Sequence, residues 1–205
     1  MKKIFQFVQN KVVSFFPSRK RGNVSLNNFY LSELHPKIHL GCGDIILNGW
    51  INIDARNADH IHIHTDQIDL KEFADNSVGV IYLSHVPEHF DFNESLNLIE
   101  LFFKKLKPGG ALIISVPDFN ALVKVYSINS NLEIVKRALM GGQDYAYNYH
   151  KSVYNFELLN NMLDKCNFKQ VELYDPVSFF GSEIGDFSTY KIEDIFISLS
   201  VVARK

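Results

Sequence analysis

The sequence predicts a three-layer α/β sandwich with a mostly parallel seven-stranded sheet and a terminal antiparallel hairpin. Three observations support this fold class. Short apolar runs bounded by turn residues alternate with amphipathic segments along most of the chain. Roughly the last 35 residues instead hold two strand-like runs with no long helix between them. A chain of 205 residues is long enough for one sizeable core and too short for two comfortable domains.

The individual elements follow from these patterns. Strands are predicted at residues 37–40, 51–54, 61–65, 78–84, 111–116, 171–174 and 197–203. Helices are predicted at residues 94–106, 119–126 and 155–166. Asn93 or Asp91 can cap the first helix, and Pro108-Gly109-Gly110 is expected to stop it.

Composition and charge are those of an ordinary globular protein, with 46% hydrophobic residues and a formal net charge of −2. The chain carries no excess of positive charge, so its composition does not indicate a nucleic-acid partner. Cys42 and Cys166 are far apart in sequence and are expected to be reduced, which fits a cytoplasmic protein. No apolar run approaches 18 residues, so no transmembrane span is expected.

Residues 1–22 are expected to form an amphipathic N-terminal segment and linker, followed by a single domain over residues 23–205. Apolar residues at positions 4, 8, 12 and 15 have helical spacing. Polar residues interrupt this segment, whereas a signal peptide needs an uninterrupted apolar region, so the segment is not predicted to be a signal peptide. A helix docked on the domain is favoured, and a peripheral membrane helix is the alternative.

A glycine turn follows the first predicted strand, and an acid ends the second. Gly41-Cys42-Gly43 and Asp54 would therefore meet at the carboxyl edge of the sheet, where open α/β sheets bind nucleoside-containing ligands. Asp54 follows Gly43 by only 11 positions, whereas dinucleotide sites place their acid about 20 residues on. A short helical turn at residues 45–48 is expected, with Trp50 covering the sheet end. The spacing favours an adenosine ligand smaller than NAD.

More polar loops leave the same edge: Asp66 follows the third strand, residues 84–89 follow the fourth, and Pro117-Asp118 follows the fifth. In this order and spacing the chain resembles the class I S-adenosylmethionine (SAM)-dependent methyltransferases over residues 37–205. The stretch D-N-S-V-G-V-I-Y-L-S-H-V-P-E-H-F, followed by L-K-P-G-G and A-L-I-I-S-V-P, looks like the methyltransferase-type-11 branch. The resemblance implies a Rossmann-like sandwich, SAM as cofactor and methyl transfer as the reaction.

The resemblance also implies cofactor contacts. Gly41, Cys42 and Gly43 would face the methionine moiety, and Asp54 would bind the ribose hydroxyls. The remaining cofactor residues would be Asp66 beside the adenine amine, Gln67 or Ile68 against the ring, and Ser84 and His85 at the sulfonium. This chain departs from the family pattern in two ways, since G-C-G-D lacks a third glycine and the first connection is short.

The methyl donor is already a strong electrophile, so the protein chiefly aligns the acceptor and excludes water. A hydroxyl acceptor would gain from a general base. The candidates are His85, Glu88, His89, Asp118 and His150. Each of them also has a structural alternative, as a cap or as a hydrogen-bond partner.

Residues 127–154 break the rhythm of strands and helices and are predicted to form a lid over the catalytic edge. They carry Gly141-Gly142 and then Tyr145, Tyr147, Tyr149, His150 and Tyr154. An aromatic segment without a basic patch favours a small-molecule or saccharide-like acceptor. A lipid-linked glycan is the alternative, and a surface subdomain without ligand contact remains open.

Two histidine patterns raise a metal hypothesis. His60, His62 and His64 alternate along one predicted strand, but Gln67 stands where the H-x-H-x-D pattern of metallo-β-lactamase-fold hydrolases continues with histidine. Residues 85–89 match the H-x-x-E-H of inverted zinc peptidases, although Pro87 opposes the helix which that site needs. No metal site is predicted, and a zinc-dependent hydrolase is kept as a minor alternative.

Two further alternatives concern function. Residues 147–151 contain Y-x-x-x-K, as in short-chain dehydrogenases, but the surrounding sequence is a poor helix former. A noncatalytic SAM-fold binding or scaffold module is the more serious rival, because a fold does not guarantee catalysis. The sequence leaves the acceptor, the methylated atom and the oligomeric state open.

Overall fold

The structure is a computed structural model that describes residues 35–181 and 184–205. The main sheet contains β1 (Lys37–Leu40), β2 (Ile51–Asp54), β3 (Ile63–His64), β4 (Val78–Ser84), β5 (Leu106–Pro117), β6 (Lys169–Leu173) and β9 (Ser198–Arg204), and a separate hairpin pairs β7 (Lys191–Ile192) with β8 (Ile195–Phe196). The helices are α1 (Phe92–Lys105), α2 (Phe119–Asn129), α3 (Leu132–Met140), α4 (Phe156–Lys165) and α5 (Pro176–Phe180), with 3₁₀ turns at Pro87–His89 and Phe187–Thr189.

The strand order of the main sheet is β3-β2-β1-β4-β5-β9-β6. The first five strands of that order run parallel, and β9 is antiparallel to both β5 and β6. The predicted fold class is therefore confirmed, including the antiparallel pair formed by the last two strands of the sheet. The carboxyl ends of β1, β2, β4 and β5 meet at one edge, so the polar loops that follow these strands leave the sheet together, as predicted.

The centre of the sheet is buried on both faces, which explains why β4 reads as a continuous apolar run. One face packs Ile81 and Leu112 against α1 and α4 through residues such as Phe102 and Leu163. The other face is an aromatic cluster that includes Trp50, Tyr82, Tyr174, Phe179 and Phe180. Trp50 is only 7% exposed, so it covers part of the sheet as predicted.

The first helix begins where its capping box predicts. The Asp91 carboxylate accepts hydrogen bonds from the backbone N–H groups of Asn93 and Glu94 at 2.8 and 2.9 Å. Glu94 Oε2 accepts from the Asp91 N–H at 2.9 Å, which completes the reciprocal box. These contacts satisfy donors that the first turn of a helix leaves unpaired.

Several boundaries differ from the sequence predictions. Helix α1 ends at Lys105, and Pro108-Gly109-Gly110 lies inside β5 because Leu106 already pairs with Val78 of β4. The predicted third strand is reduced to the two residues of β3, and residues 45–48 form no helical turn. Helix α3 lies within the span that was predicted as a lid.

The predicted amphipathic segment at residues 1–22 lies outside the described residues. Within the described ranges, no helix combines the length and the apolar character needed to cross a membrane.

Candidate functional site

The glycine turn after β1 has no room for side chains. Gly41 and Gly43 have φ values of +64° and +58°, the left-handed region that favours glycine. A Cβ atom on Gly41 would lie 2.4 Å from Cγ2 of Val86, and one on Gly43 would lie 2.5 Å from Nη2 of Arg56. The turn therefore needs glycine both for its backbone conformation and for the close approach of the fourth loop.

Asp54 is joined to this turn as predicted from the sequence. Its Oδ2 accepts a hydrogen bond from the Gly43 N–H at 2.7 Å. Its Oδ1 accepts from the Arg56 N–H at 2.8 Å and from Arg56 Nε at 3.3 Å. Arg56 was missed as a site residue, although its position two residues after the acid is the signal that could have found it. The side chain of Asp54 is 10% exposed, so it lies near the surface of the edge without being open to water.

Cys42 faces inwards rather than towards a ligand. It is 2% exposed, and burial, with the nearby Asp54 charge, raises the pKa of its thiol to about 11. The thiol is therefore neutral at physiological pH, and only the backbone of Cys42 is available to a ligand at this turn.

The loop after β3 continues the same edge. The Thr65 N–H donates to Asp54 O at 3.0 Å, and this places the loop beside the second strand end. Asp66 and Gln67 are exposed, whereas Ile68 is half-buried and packs against the core. Thr65 Oγ1 accepts a hydrogen bond from the Gln67 N–H at 3.1 Å, which shapes the turn. The two polar side chains are thus available to a ligand, and Ile68 chiefly supports the loop.

The loop after β4 carries an unusual hydroxyl. Ser84 Oγ is buried and has no hydrogen-bond partner among the described residues. A buried hydroxyl without a partner is costly, and a bound ligand can remove that cost. His85 follows with φ +56°, which is uncommon for a non-glycine residue.

His85 bridges two elements. Its Nε2 lies 2.8 Å from Ser198 Oγ, and that hydroxyl donates to Phe187 O at 2.9 Å. The hydroxyl proton is therefore used, so His85 Nε2 acts as the donor to Ser198. On its other side, His85 Nδ1 lies 3.2 Å from Oε1 of Glu88.

Glu88 is the centre of a buried polar cluster. It is fully buried, and neither carboxylate oxygen accepts a well-aligned hydrogen bond from the described residues. Burial raises the pKa of Glu88, but the neighbouring His85, His89 and His150 outweigh burial and lower it overall. The carboxylate is therefore ionised at neutral pH.

Two histidines complete this cluster. His150 Nε2 lies 4.0 Å from Glu88 Oε1, and the rings of His89 and His150 meet edge to face with centroids 4.9 Å apart. Burial lowers the pKa of His150, and the attraction of Glu88 only partly opposes this. The backbone N–H groups of Lys151 and Ser152 donate to Glu88 O at 2.7 and 3.3 Å, which fastens the His150 segment to the fourth loop.

Four of the five predicted catalytic residues are thus brought together: His85, Glu88, His89 and His150. The fifth, Asp118, caps α2 by accepting a hydrogen bond from the Asn120 N–H at 3.0 Å. Asp118 therefore acts as a helix cap, and a catalytic role for it stays a prediction. It still lies at the carboxyl end of β5, on the same edge as the others.

The aromatic segment divides into two parts. Tyr145, Tyr147 and Tyr149 are 55%, 61% and 47% exposed, so they present aromatic surface to solvent. Tyr154 is buried, and its hydroxyl bonds to Ser95 Oγ at 2.9 Å. This hydroxyl therefore fixes the end of the segment to α1, and the lid at residues 127–154 stays a prediction.

His60, His62 and His64, which lead into and end in β3, form no metal cluster. His60 Nε2 donates to Gly43 O at 2.7 Å, His62 Nδ1 accepts from the Asn52 N–H at 3.0 Å, and His64 Nε2 donates to Ala55 O at 2.9 Å. Each of the three rings is thus hydrogen-bonded to a different backbone group. His60 and His62 line an open cleft of about 280 Å³ with residues 46–50, and His60 joins it to the glycine turn.

These features define an α/β protein whose sheet edge has the form that binds nucleosides in open α/β sheets. The edge consists of a glycine turn, an acid hydrogen-bonded to that turn and a polar loop after the central strand. No protein-family model matches the sequence, and no curated protein is similar to it in sequence. Similarity to solved structures is extensive in coverage but low in identity.

A SAM-dependent methyltransferase from Archaeoglobus fulgidus matches 98% of this chain and 94% of its own, with 17% identity and a TM-score of 0.52. A SAM-dependent methyltransferase from Methanosarcina mazei matches 89% of this chain and 99% of its own, with 16% identity and a TM-score of 0.51. A third match comes from the complex between the Trm112 methyltransferase activator of Haloferax volcanii and a proposed methyltransferase. It covers 87% of this chain and 86% of the matched chain, with 14% identity and a TM-score of 0.52. The chain therefore has the class I methyltransferase fold.

Proposed function

We propose that this protein is a SAM-dependent methyltransferase acting on a small-molecule or saccharide-like acceptor, in the methyltransferase-type-11-like branch. The observation that carries the proposal is the bond between the Gly43 N–H and the Asp54 carboxylate. It joins the glycine turn to the acid at the edge where this fold binds nucleoside ligands. The branch assignment is supported by the D-N-S-V…P-E-H-F and L-K-P-G-G stretches.

The residues at this edge suit the proposed cofactor. Gly41 and Gly43 would carry the methionine moiety, Asp54 the ribose and the 66–68 turn the adenine. The Ser84 hydroxyl, which has no partner within residues 35–181 and 184–205, offers a polar contact near the proposed sulfonium end. When bound, the cofactor supplies an electrophilic methyl group, and the chain positions it and excludes water.

The cluster around Glu88 would serve the acceptor side. It follows β4 directly after Ser84, so it borders the place proposed for the sulfonium. An ionised carboxylate among histidines can act as a general base, which takes the proton from a hydroxyl group of the methyl acceptor. The exposed Tyr145, Tyr147 and Tyr149 offer stacking surface for an acceptor with an apolar face.

Calorimetry of the purified full-length chain with S-adenosylhomocysteine and with NAD tests the cofactor assignment. We expect micromolar binding of S-adenosylhomocysteine, loss of that binding in Asp54→Ala and retention in Asp59→Ala, an exposed acid of the next loop. Binding of NAD in its place, or equal binding by Asp54→Ala and wild type, would overturn the proposal.

One observation favours a noncatalytic SAM-fold module as the second candidate. Arg56 lies against Gly43 and pairs with Asp54, so this side chain must move before a ligand can rest on the turn. Incubation with SAM labelled in its methyl group and a cell extract separates the candidates. Label transferred to any acceptor supports the enzyme, and the absence of any labelled acceptor across varied conditions supports the module.

A further inference from the structure

We infer that Glu88, His89 and His150 form a binding site for one divalent transition-metal ion of the zinc class. Among the described residues, these three side chains can each direct a ligand atom so that all three atoms lie within 4.8 Å of one another. They come from two separate segments, the 3₁₀ turn after β4 and the loop after α3. The inference concerns metal binding alone and does not depend on methyl transfer.

The geometry is close to that of a three-ligand site. Bonds of 2.0–2.1 Å to a tetrahedral ion place neighbouring ligand atoms about 3.4 Å apart. Glu88 Oε1 and His150 Nε2 are 4.0 Å apart. Closing that gap needs the two atoms to approach each other by about 0.6 Å.

Backbone carbonyls set the tautomer of both histidines. His89 Nδ1 lies 3.2 Å from Tyr149 O, and His150 Nδ1 lies 3.0 Å from Ala138 O. A carbonyl only accepts, so each Nδ1 carries the proton and each Nε2 keeps its lone pair. Metal-binding histidines are characteristically oriented by this arrangement, in which the second nitrogen donates to a carbonyl.

Glu88 supplies an independent observation that points to a cation. Its carboxylate is completely buried, and both oxygens are without a hydrogen-bond partner among the described residues. A buried anion is costly unless a charge or hydrogen bonds compensate it. His85 Nδ1 lies 3.2 Å from Oε1, but the neutral ring already donates through Nε2 to Ser198 and has no proton on Nδ1. The 4.0 Å to His150 is too long for a hydrogen bond.

The ligand types narrow the ion. Two imidazoles and one carboxylate suit zinc and similar first-row ions, whereas magnesium and calcium prefer oxygen ligands throughout. Three protein ligands leave at least one position open, as in catalytic zinc sites. If the proposed function also holds, an oxygen atom of the acceptor can take that position.

Helix α3 and its C-terminal glycine hold His150 in place. The His150 N–H donates to Met140 O at 3.1 Å, at the end of the helix. A Cβ on Gly141 would lie 2.3 Å from Asn148 O and 3.1 Å from His150 Cδ2. Within the H-x-x-E-H pattern of residues 85–89, the candidate ligands were His85, Glu88 and His89. The inferred site has His150, from a loop distant in sequence, in place of His85.

The test is a metal titration of the tag-free full-length protein after treatment with EDTA and dialysis. We expect wild type to bind one Zn²⁺ per chain, to prefer Zn²⁺ to Mg²⁺, and to show a rise in Tm. Co²⁺ should give visible absorption bands of a nitrogen- and oxygen-ligated ion. His89→Gln, His150→Gln and Glu88→Gln should each weaken Zn²⁺ binding by more than about 100-fold, since even loss of an outer partner costs 10–100-fold.

His62→Gln and His64→Gln are the matched controls, because these histidines are exposed and bind only backbone atoms. They should bind Zn²⁺ like wild type. Circular dichroism in EDTA establishes that each variant is folded. The inference is overturned if wild type binds neither Zn²⁺ nor Co²⁺, or if His89→Gln and His150→Gln bind as tightly as wild type.

Titration with S-adenosylhomocysteine in EDTA reports on the cofactor site separately. If the protein binds Zn²⁺ but not the nucleoside, the proposed function is contradicted and the metal site is still supported. The converse result would remove the metal site alone.

Discussion

The Gly43 N–H donates a hydrogen bond of 2.7 Å to the carboxylate of Asp54, and this contact ties the first loop of the sheet edge to the end of the second strand. Arg56 bonds to the other oxygen of the same carboxylate. The acid therefore organises the turn, in addition to its proposed role in binding the ribose. Its substitution is expected to affect both folding of the loop and binding.

Gly41→Ala should lower the free energy of unfolding by about 2–4 kcal/mol, because a left-handed alanine is strained and its Cβ would overlap Val86. Gly109→Ala is the matched control, since Gly109 also has a positive φ but nothing lies within 4 Å of its Cβ position. It should cost only about 1–2 kcal/mol. Urea unfolding measures both values.

A Val86→Ala background separates overlap from backbone strain. In that background, the cost of Gly41→Ala should fall to that of Gly109→Ala. An unchanged cost would show that contact with Val86 contributes nothing.

Ser84→Ala should leave the free energy of unfolding unchanged or raise it by about 1 kcal/mol, because it removes a buried hydroxyl that has no partner among the described residues. Binding of S-adenosylhomocysteine should weaken roughly five- to tenfold if the ligand uses this hydroxyl. Chemical unfolding and calorimetry give the two readouts.

Ser115→Ala is the contrasting control for Ser84→Ala. Ser115 is buried too, but its hydroxyl is hydrogen-bonded to Tyr174 Oη at 3.1 Å and Ser200 Oγ at 2.9 Å. Its loss should lower the free energy of unfolding by about 1–3 kcal/mol. Similar losses in the two variants would contradict the assignment of Ser84 as unpaired.

Stability should fall in mild acid because of His39. Burial lowers the pKa of His39 to about 4, with partial opposition from Asp186 and Asn52. The unfolded chain takes up the proton near pH 6.5, whereas the folded chain resists it until about pH 4. The free energy of unfolding should therefore drop by about 2 kcal/mol between pH 7.5 and 5 from this group alone.

His39→Phe should remove that part of the pH dependence, since the ring of Phe can stack on Tyr82 without titrating. His64→Gln is the control, because His64 is exposed. Urea unfolding at several pH values gives the slopes. An identical slope in His39→Phe and wild type would exclude His39 as the acid-sensitive group.

Asp91→Ala should lower the free energy of unfolding by about 1 kcal/mol, because α1 loses the acceptor for two backbone donors of its first turn. Asp91→Ser can still cap the helix and should recover most of that loss. Thermal unfolding compares the two. If serine costs as much as alanine, the cap is not the source of the effect.

The sequence alone determined the fold class and the framework of the cofactor edge. The bounds of β1, β2 and β4 are those predicted, because short buried runs between turn residues have a strong local signal. The glycine turn and Asp54 also follow from local order, since neighbouring parallel strands end at one edge.

Only the tertiary structure decided the contacts between segments that are distant in the chain. The meeting of His150 with Glu88, the placement of Arg56 over Gly43 and the early start of β5 against Val78 all depend on packing. Helix α3 likewise gains its stability from a small core with α2, in which Val135 meets Leu122 and Val125. Periodicity reports which residues share a face, but it does not report which faces meet.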